Sequence, residues 1–376
     1  MGIRVCYSLI LAFLLTPCFT AQANDVLIYN GSPGSGRPQI YAHRGGRGLM
    51  PEQTVPAYVA ALRLGVDYVD MDIGMTRDGV LVITHNLTLN PDLTRDQNGN
   101  WVMDAIPIRT LTLQELKKYD VGRLKPGTQY ASYFPHQRPY DHTPIPTLGE
   151  VVQLVKTIAG DKVGFQIEIK NDPTQPDLTA SPDEFAHALY RLITEEGISD
   201  RTEVQAYDWR CLVELNRLDK NIKTAYLSDH ITDVMDDMEK GTWTAGVLPK
   251  DHDYSLPKMV KHLGGNSWEP FAMDLTKNDL DEAHRLGLKV VAWSWPEQEG
   301  TEFNYTQVEQ LLDWGVDGII TDRPDILRGI LAARGMNLPS GFEVVSDFLV
   351  EECKENIDVS RVGNRNAHTS QTSGCR

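Results

Sequence analysis

Short apolar runs alternate with stretches of helical periodicity along most of this chain, from residue 39 to about residue 335. The runs have the length of buried strands, and several stop at turns rich in glycine or proline. Between them, apolar residues recur three or four positions apart, which is typical of helices that bury one face. Strands are predicted at residues 39–43, 68–73, 164–169, 202–207, 223–227, 271–275, 289–295 and 318–321. Such alternation over about 290 residues favours a closed (β/α)8 TIM barrel over an open sheet.

One region interrupts the alternation after the second strand. Residues 80–84 form a further apolar run, and residues 86 to about 160 hold repeated turn signals instead of a simple strand and helix. We therefore predict an insertion over about residues 74–160 that folds over the top of the barrel. Helices are predicted near residues 149–159, 279–286 and 306–314, and a weak strand signal covers residues 246–248.

The two ends of the chain differ from its middle. Residues 1–23 combine the positive charge of Arg4, an apolar core and a small-x-small segment ending at Ala23, which is typical of a secretory signal peptide. Residues 24–38 are a polar lead-in, and residues 336–376 are predicted to hold a C-terminal helix and a polar tail. No later segment is apolar enough to predict a transmembrane helix. We therefore expect an exported protein, periplasmic or secreted, without stable membrane insertion.

The net charge limits the possible binding partners of the protein, and its cysteines allow one disulfide to be predicted. The formal net charge of −16 at pH 7 argues against nucleic acid or an anionic membrane as a bulk partner. It does not argue against a small phosphodiester, because local cations dominate at a binding site. Three cysteines follow the predicted signal peptide. Our hypothesis is a Cys353–Cys375 bridge that ties down the tail, with Cys211 left as a buried thiol.

Residues 39–86 hold most of the candidate chemistry. Asp70 and Asp72 lie two positions apart on a predicted buried strand, so both carboxylates point to the same face. A hard divalent ion with oxygen ligands is the simplest way to relieve their repulsion. His43 and His85 each end a predicted strand, where they can act as acid and base. Arg44 offers a planar fork of donors that fits a phosphate.

The strand predicted at residues 164–169 adds two more charged groups. Gln166, Glu168 and Lys170 share one face, and apolar residues take the other. Polar groups that face into a barrel at the C-terminal end of a strand are typical of an active site.

The order and spacing of these segments resemble the glycerophosphodiester phosphodiesterase family. In the first half of the chain, the shared features are an HRG opening at residues 43–45, a PE-x-T segment at 51–54, an acidic-x-acidic strand at 70–72 and a strand ending in histidine at 85. Further along, they are an E-x-K motif at residues 168–170 and a closing T-D-x-P at 321–324. The chain departs from the family at four positions. Asp70 replaces a usual Glu, Gln53 a common Asn or His, Asn86 a common Asp, and Pro296 an Asn.

The resemblance implies hydrolysis of a small-molecule glycerophosphodiester to sn-glycerol 3-phosphate and an alcohol. It implies a cofactor, one divalent ion, Ca²⁺ or Mg²⁺, held by Asp70, Asp72 and Glu168 with support from Glu52. It also implies phosphate contacts from Arg44 and Lys170, acid and base roles for His43 and His85 in either order, and for Trp293 either a substrate wall or a packing role.

Two other functions are compatible with the same residues. A lysophospholipase D-like enzyme would act on lipid phosphodiesters and would need an apolar entrance. A non-catalytic exported protein would bind phosphodiesters without turning them over.

Overall fold

The computed structural model of the chain describes residues 37–229, 238–296, 300 and 303–344. Its strands are, in chain order, β1 (Gln39–Ala42), β2 (Tyr68–Met75), β3 (Leu81–Ile83), β4 (Gly164–Ile169), β5 (Thr202–Ala206), β6 (Lys223–Ser228), β7 (Ser267–Pro270), β8 (Lys289–Trp293) and β9 (Gly318–Thr321). All except β3 pair in parallel, and β1 pairs with both β2 and β9, which closes a barrel. The predicted (β/α)8 TIM barrel is therefore confirmed.

Helices connect the strands around the outside of the barrel. In the described residues they are α1 (Val55–Leu64), α2 (Leu113–Leu116), α3 (Gln129–Tyr133), α4 (Leu148–Ala159), α5 (Pro182–Glu195), α6 (Trp209–Leu218), α7 (Leu256–His262), α8 (Lys277–Arg285), α9 (Tyr305–Trp314) and α10 (Pro324–Ala333). Several begin at side-chain caps. Thr54 caps α1, and capping boxes pair Thr147 with Glu150 at α4 and Ser181 with Glu184 at α5.

The predicted strand at residues 271–275 is wrong, because the sixth barrel strand is β7, which ends at Pro270. Glu269 and Pro270 argue against a strand in the sequence. In the structure, Glu269 is buried inside the barrel, where its carboxyl accepts a hydrogen bond from Gln166, and Pro270 stands at the end of the strand. Phe271 keeps only an isolated bridge to Trp293 before the chain turns away.

Other strand limits shift by smaller amounts. β1, β5 and β8 end one or two residues earlier than predicted, and β2 continues to Met75. The weak strand signal at residues 246–248 is wrong, because Gly246 adopts a φ of 82° within a turn.

The insertion begins with β3, which stands outside the barrel and pairs antiparallel with β2. This agrees with the assignment of residues 80–84 to the insertion. Ion pairs tie its loops together, since Arg95 contacts both Asp120 and Asp141 at 2.5 Å and Arg123 also contacts Asp141. The limits of the insertion, about residues 74 and 160, stay a prediction.

The parallel strands place three layers of polar side chains inside the barrel. The lowest layer, at the N-terminal ends of the strands, contains Lys289, whose Nζ lies 3.0 and 3.2 Å from the carboxylate oxygens of Glu203. The hydroxyls of Tyr41 and Tyr68 donate to the same carboxylate at 3.0 and 3.1 Å. This layer satisfies its own charges and fills the lower end of the barrel. The two layers above it carry the residues of the candidate site.

Some predictions concern residues outside the described ranges. They include the signal peptide at residues 1–23, most of the lead-in, the Cys353–Cys375 bridge and most of the C-terminal helix and tail. Cys211 is buried with a free thiol, in agreement with the hypothesis. In the part of the chain that the structure describes, no helix combines the length and apolar character needed to cross a membrane.

Candidate active site

A left-handed turn carries the first histidine and arginine to the mouth of the barrel. Directly after β1, Arg44, Gly45 and Gly46 have φ values of 50°, 79° and 87°. A Cβ at Gly45 would lie 2.8 Å from the Cβ of Ala57 in α1, so the turn needs glycine there. The backbone N–H of Arg44 donates to Asp70 Oδ2 at 3.0 Å. The turn therefore fixes His43 and Arg44 beside the carboxylates of β2.

His43 is held by an aspartate from the far end of the chain. Its Nδ1 lies 2.6 Å from Asp322 Oδ1, and the same oxygen accepts a hydrogen bond from Arg47 Nε at 2.7 Å. Burial alone would raise the pKa of Asp322, but the charges of Arg47 and His43 outweigh it and hold that pKa well below its usual range. Asp322 is therefore ionised and accepts the Nδ1 proton, which leaves Nε2 of His43 as the basic nitrogen.

The carboxylates come together because of strand register. Asp72 of β2 and Glu168 of β4 are direct partners in the parallel pairing, and both are buried. Desolvation raises the pKa of Glu168 to about 7, since the repulsion from Asp72 adds to burial and Lys170 only partly offsets them. Desolvation and Asp72 likewise raise the pKa of Asp70 well above its usual value. Burial and mutual repulsion therefore disfavour charge on Glu168 and Asp70, whereas Lys170 and Arg44 outweigh burial at Asp72 and hold its pKa below the usual value.

Two cations border this cluster. Lys170 Nζ lies 2.5 Å from Glu168 Oε1 and 3.8 Å from Asp72 Oδ1. Arg44 Nη1 lies 2.9 Å from Glu52 Oε1, and its Nε lies 3.4 Å from Asp72 Oδ2. The Nε group of Arg44 is buried without a hydrogen-bond partner. An anionic ligand at the barrel mouth would meet both side chains.

The donor set suits a hard divalent cation, although the side chains stand in ion pairs with Arg44 and Lys170. Among the described residues, no three histidine, cysteine or acidic side chains converge as an ion would require. The chemistry nevertheless fits, because Asp70, Asp72 and Glu168 are buried oxygen donors on adjacent strands. Glu52 is paired with Arg44 at 2.9 Å, and its role, as a support for this set or as a further ligand, stays a prediction.

His85 follows β3 and so reaches the site from the insertion. Desolvation lowers its pKa well below the usual value, and the charges of Arg44, Lys170 and Arg47 lower it further. The charge of His43 lowers the pKa of His85 in the same direction, and a shared catalytic site for the two histidines stays a prediction. His85 also lines a cleft of about 500 Å³ between the barrel and the insertion, together with Glu52, Gln53, Asn86, Arg123 and Gln137.

Trp293 takes a packing position at the end of β8. It is 9 % exposed, and its Nε1–H donates to the backbone oxygen of Glu269 at 3.1 Å. Its ring packs against Phe271, Tyr207 and Trp295 with centroids 4.9 to 6.1 Å away. The structure thus shows the packing role that the sequence left as one of two alternatives. A substrate-wall role stays a prediction.

Two site residues carried no clear signal in the sequence. Arg47 is almost fully buried and joins Asp322 to Tyr130, whose hydroxyl accepts from Arg47 Nη1 at 3.0 Å. The same hydroxyl donates to Glu52 Oε2. Phe134 lies under the guanidinium of Arg47, 4.6 Å away. The insertion is therefore joined to the site by side-chain contacts that link Arg47 and Glu52.

Replacing Tyr130 by phenylalanine should lower the free energy of unfolding by about 1.5–3 kcal/mol, because Glu52 and Arg47 each lose a charge-assisted hydrogen bond. Tyr133→Phe is the matched control, since this tyrosine on the same helix accepts from Gln129 at the surface. Urea unfolding of both variants measures the difference. Equal stability of the two variants would show that the Tyr130 contacts do not hold the insertion in place.

The chain is similar to known proteins in both sequence and fold. A sequence profile described as the glycerophosphoryl diester phosphodiesterase family matches residues 43–326, more than half of the chain. The chain is 26% identical over 330 residues to a glycerophosphodiester phosphodiesterase of Bacillus subtilis, covering 85% of this chain and 94% of that protein. A crystal structure named as a glycerophosphoryl diester phosphodiesterase of Silicibacter pomeroyi has a TM-score of 0.69 and 31% identity, covering 82% of this chain and 97% of that one.

A more distant structure shares the fold. It is an Oleispira antarctica phosphodiesterase in complex with the product sn-glycerol-3-phosphate, with a TM-score of 0.57, 20% identity, and coverage of 79% of this chain and 97% of that one.

Proposed function

The chain belongs to the glycerophosphoryl diester phosphodiesterase family and is a phosphodiesterase, and we propose that it hydrolyses glycerophosphodiesters by metal-assisted acid–base catalysis at the barrel mouth. The products are sn-glycerol 3-phosphate and an alcohol. The observation that carries the proposal is the group of three buried carboxylates on β2 and β4, with His43 fixed beside it by its hydrogen bond to Asp322. We also propose that the protein is exported, since residues 1–23 read as a signal peptide.

The phosphate of the substrate binds between Arg44 and Lys170. Both side chains now contact carboxylates, and both lie at the open end of the barrel. Asp70, Asp72 and Glu168 would hold a divalent ion, Ca²⁺ or Mg²⁺, with Glu52 behind them, and a bound ion supplies Lewis-acid stabilisation to the phosphoryl oxygens. Arg44 and Lys170 then turn from the carboxylates to the phosphoryl group, where they stabilise charge that develops in the transition state.

His43 is the base in this proposal. Because ionised Asp322 accepts its Nδ1 proton at 2.6 Å, Nε2 is free to take the proton of the attacking hydroxyl, and the imidazolium that forms is stabilised. The resemblance to the family suggests that this hydroxyl is the 2-hydroxyl of the glycerol. Its attack gives a cyclic phosphate, which water then opens with the two histidines in exchanged roles.

His85 is the acid in the same step. Desolvation and neighbouring cations hold its pKa well below the usual value, so the ring is neutral in the free protein and has to gain a proton on substrate binding before it can protonate the departing alcohol oxygen. The negative charge of a bound phosphodiester would offset those cations and favour protonation before the step.

Two coupled assays, one for sn-glycerol 3-phosphate and one for choline, test the reaction, because hydrolysis of a lysolipid releases choline and lysophosphatidate instead of sn-glycerol 3-phosphate. The purified protein is incubated with glycerophosphocholine or with micellar lysophosphatidylcholine, each with Ca²⁺ or Mg²⁺. We expect release from glycerophosphocholine. Hydrolysis of the lysolipid alone would replace the proposal with the lysophospholipase D-like reaction, and tight binding with intact ligand would replace it with a binding protein.

A further inference from the structure

The middle layer of the barrel interior contains four polar side chains from four strands. They are Asp70 of β2, Gln166 of β4, Gln205 of β5 and Glu269 of β7. All are at most 2 % exposed. The layer lies between the ion-paired lower layer and the carboxylates at the barrel mouth. Burying polar groups costs free energy unless they are hydrogen-bonded, so the hydrogen bonds within this layer are expected to fix how its side chains are oriented.

The four side chains form a continuous chain of hydrogen bonds. Gln205 Nε2 donates to Asp70 Oδ1 at 2.7 Å. Gln166 Nε2 donates both to Gln205 Oε1 at 3.3 Å and to Glu269 Oε1 at 2.5 Å. The two hydrogens of one amide group thus serve two acceptors, and each glutamine links its neighbours.

The direction of these bonds follows from the carboxylate at one end. Gln205 turns its N–H to Asp70 Oδ1 and its oxygen to Gln166, the orientation that suits a carboxylate oxygen as acceptor. Gln166 must then turn its N–H groups inward, where Glu269 accepts the second one. Reversing either amide would place two oxygens face to face in a dry interior.

Glu269 ends this chain as a neutral group. Burial raises its pKa well above the usual value, and the negative charge of Glu203 raises it further. Its Oε2 atom is buried without a hydrogen-bond partner, as is Oε1 of Gln166. A neutral carboxyl accepts from Gln166 without adding a further charge beneath Asp70.

We propose that Gln205 is a positioning residue for Asp70, and that Gln166 and Glu269 fix the direction in which its amide faces. The inference rests on the proposed function, in which Asp70 is a ligand of the divalent ion. It adds to that function an explanation of how Asp70, whose side chain is shorter than the Glu usual in the family, is held in place. Asp70 receives one hydrogen bond on each oxygen, from the Arg44 backbone and from Gln205, so its carboxylate cannot rotate freely. Partners behind a metal ligand orient it and tune its affinity for the metal.

The test is calorimetric titration of the protein with Ca²⁺ alone and with Mg²⁺ alone. Gln205→Met keeps the size of the side chain but removes the donor, and we expect affinity for the ion to fall about 10- to 100-fold. Glu269→Gln keeps a neutral acceptor in place, and we expect unchanged affinity. Gln39→Met is the matched control, because it makes the same chemical change at the lower end of the barrel.

The outcomes separate this inference from the proposed function. If the unsubstituted protein binds neither ion, the metal-assisted function fails and the role of Gln205 fails with it. If the unsubstituted protein binds an ion and Gln205→Met binds it equally well, only the role of Gln205 is overturned. Thermal unfolding establishes that each variant is folded. If Gln205→Met does not fold, Gln205→Asn takes its place, since its shorter amide cannot span the 2.7 Å contact and should weaken affinity in the same way.

Discussion

Replacing His43 by alanine is expected to lower kcat for glycerophosphocholine hydrolysis by about 10²- to 10⁴-fold, the usual contribution of a positioned general base. The variant loses the nitrogen that accepts the proton of the attacking hydroxyl. Asp322 and Arg47 remain paired at 2.7 Å, so the local structure keeps a charge partner for the aspartate. The coupled assay for sn-glycerol 3-phosphate measures the loss, and thermal unfolding confirms that the variant is folded.

Two further variants sharpen this experiment. Asp322→Asn should also lower kcat, with KM little changed, because an amide cannot stabilise the imidazolium that forms on His43. His187→Ala is the matched control, since this histidine is exposed on α5 and bonds only to Asp183 on its own helix. Near-normal turnover in His43→Ala would contradict the base assignment. A large loss in His187→Ala would show that the assay reports on folding instead.

Removing divalent ions with EDTA is expected to abolish release of sn-glycerol 3-phosphate, and added Ca²⁺ or Mg²⁺ should restore it. Without an ion, the anionic substrate would face Asp70, Asp72 and Glu168 with only Arg44 and Lys170 to offset them. Burial, to which repulsion from Asp72 adds, already raises the pKa of Glu168 to about 7 despite the nearby Lys170, so a further anion at this site is unfavourable without an ion. The assay is run on one preparation before chelation, after chelation and after each ion is added back.

Asp72→Asn provides the comparison for the chelation experiment. Its loss of charge should weaken the response to added ion, because one oxygen donor becomes a poorer ligand. Full activity of the unsubstituted protein in EDTA would mean that the carboxylates act only as partners for Arg44 and Lys170. The proposed metal assistance would then be wrong, whereas the histidine roles would still stand on the His43 result.

The sequence predicted those parts of the site that depend on local pattern. Alternation along β2 placed Asp70 and Asp72 on one face, and the same rule placed Glu168 and Lys170 together. The closed barrel then brought the strand ends to one mouth, so these residues met without further information. The prediction of the sixth barrel strand was wrong because Glu269 and Pro270 are untypical of a strand, and the hydrogen bond that Gln166 gives to the Glu269 carboxyl exists only inside the folded barrel.

Contacts across the insertion could not be predicted in the same way. Tyr130 and Glu52 are separated by 78 positions, and nothing in the periodicity around either residue requires them to meet. Arg47 presents a similar case, since its partner Asp322 is 275 positions away. Such pairs depend on how the loops pack against the folded barrel. The spacing of hydrophobic residues in a single sequence does not predict these loop contacts.

The bridge through Tyr130 also bears on how this protein could be re-engineered. Because one phenol hydroxyl contacts both Glu52 and Arg47, the insertion and the barrel mouth are not interchangeable modules. A graft that brought the insertion of a relative onto this barrel would leave a buried acid and a buried base without a shared partner. The smallest transplantable unit is therefore the insertion together with the loop between β1 and α1, and recombination points belong in the connections at the opposite end of the barrel.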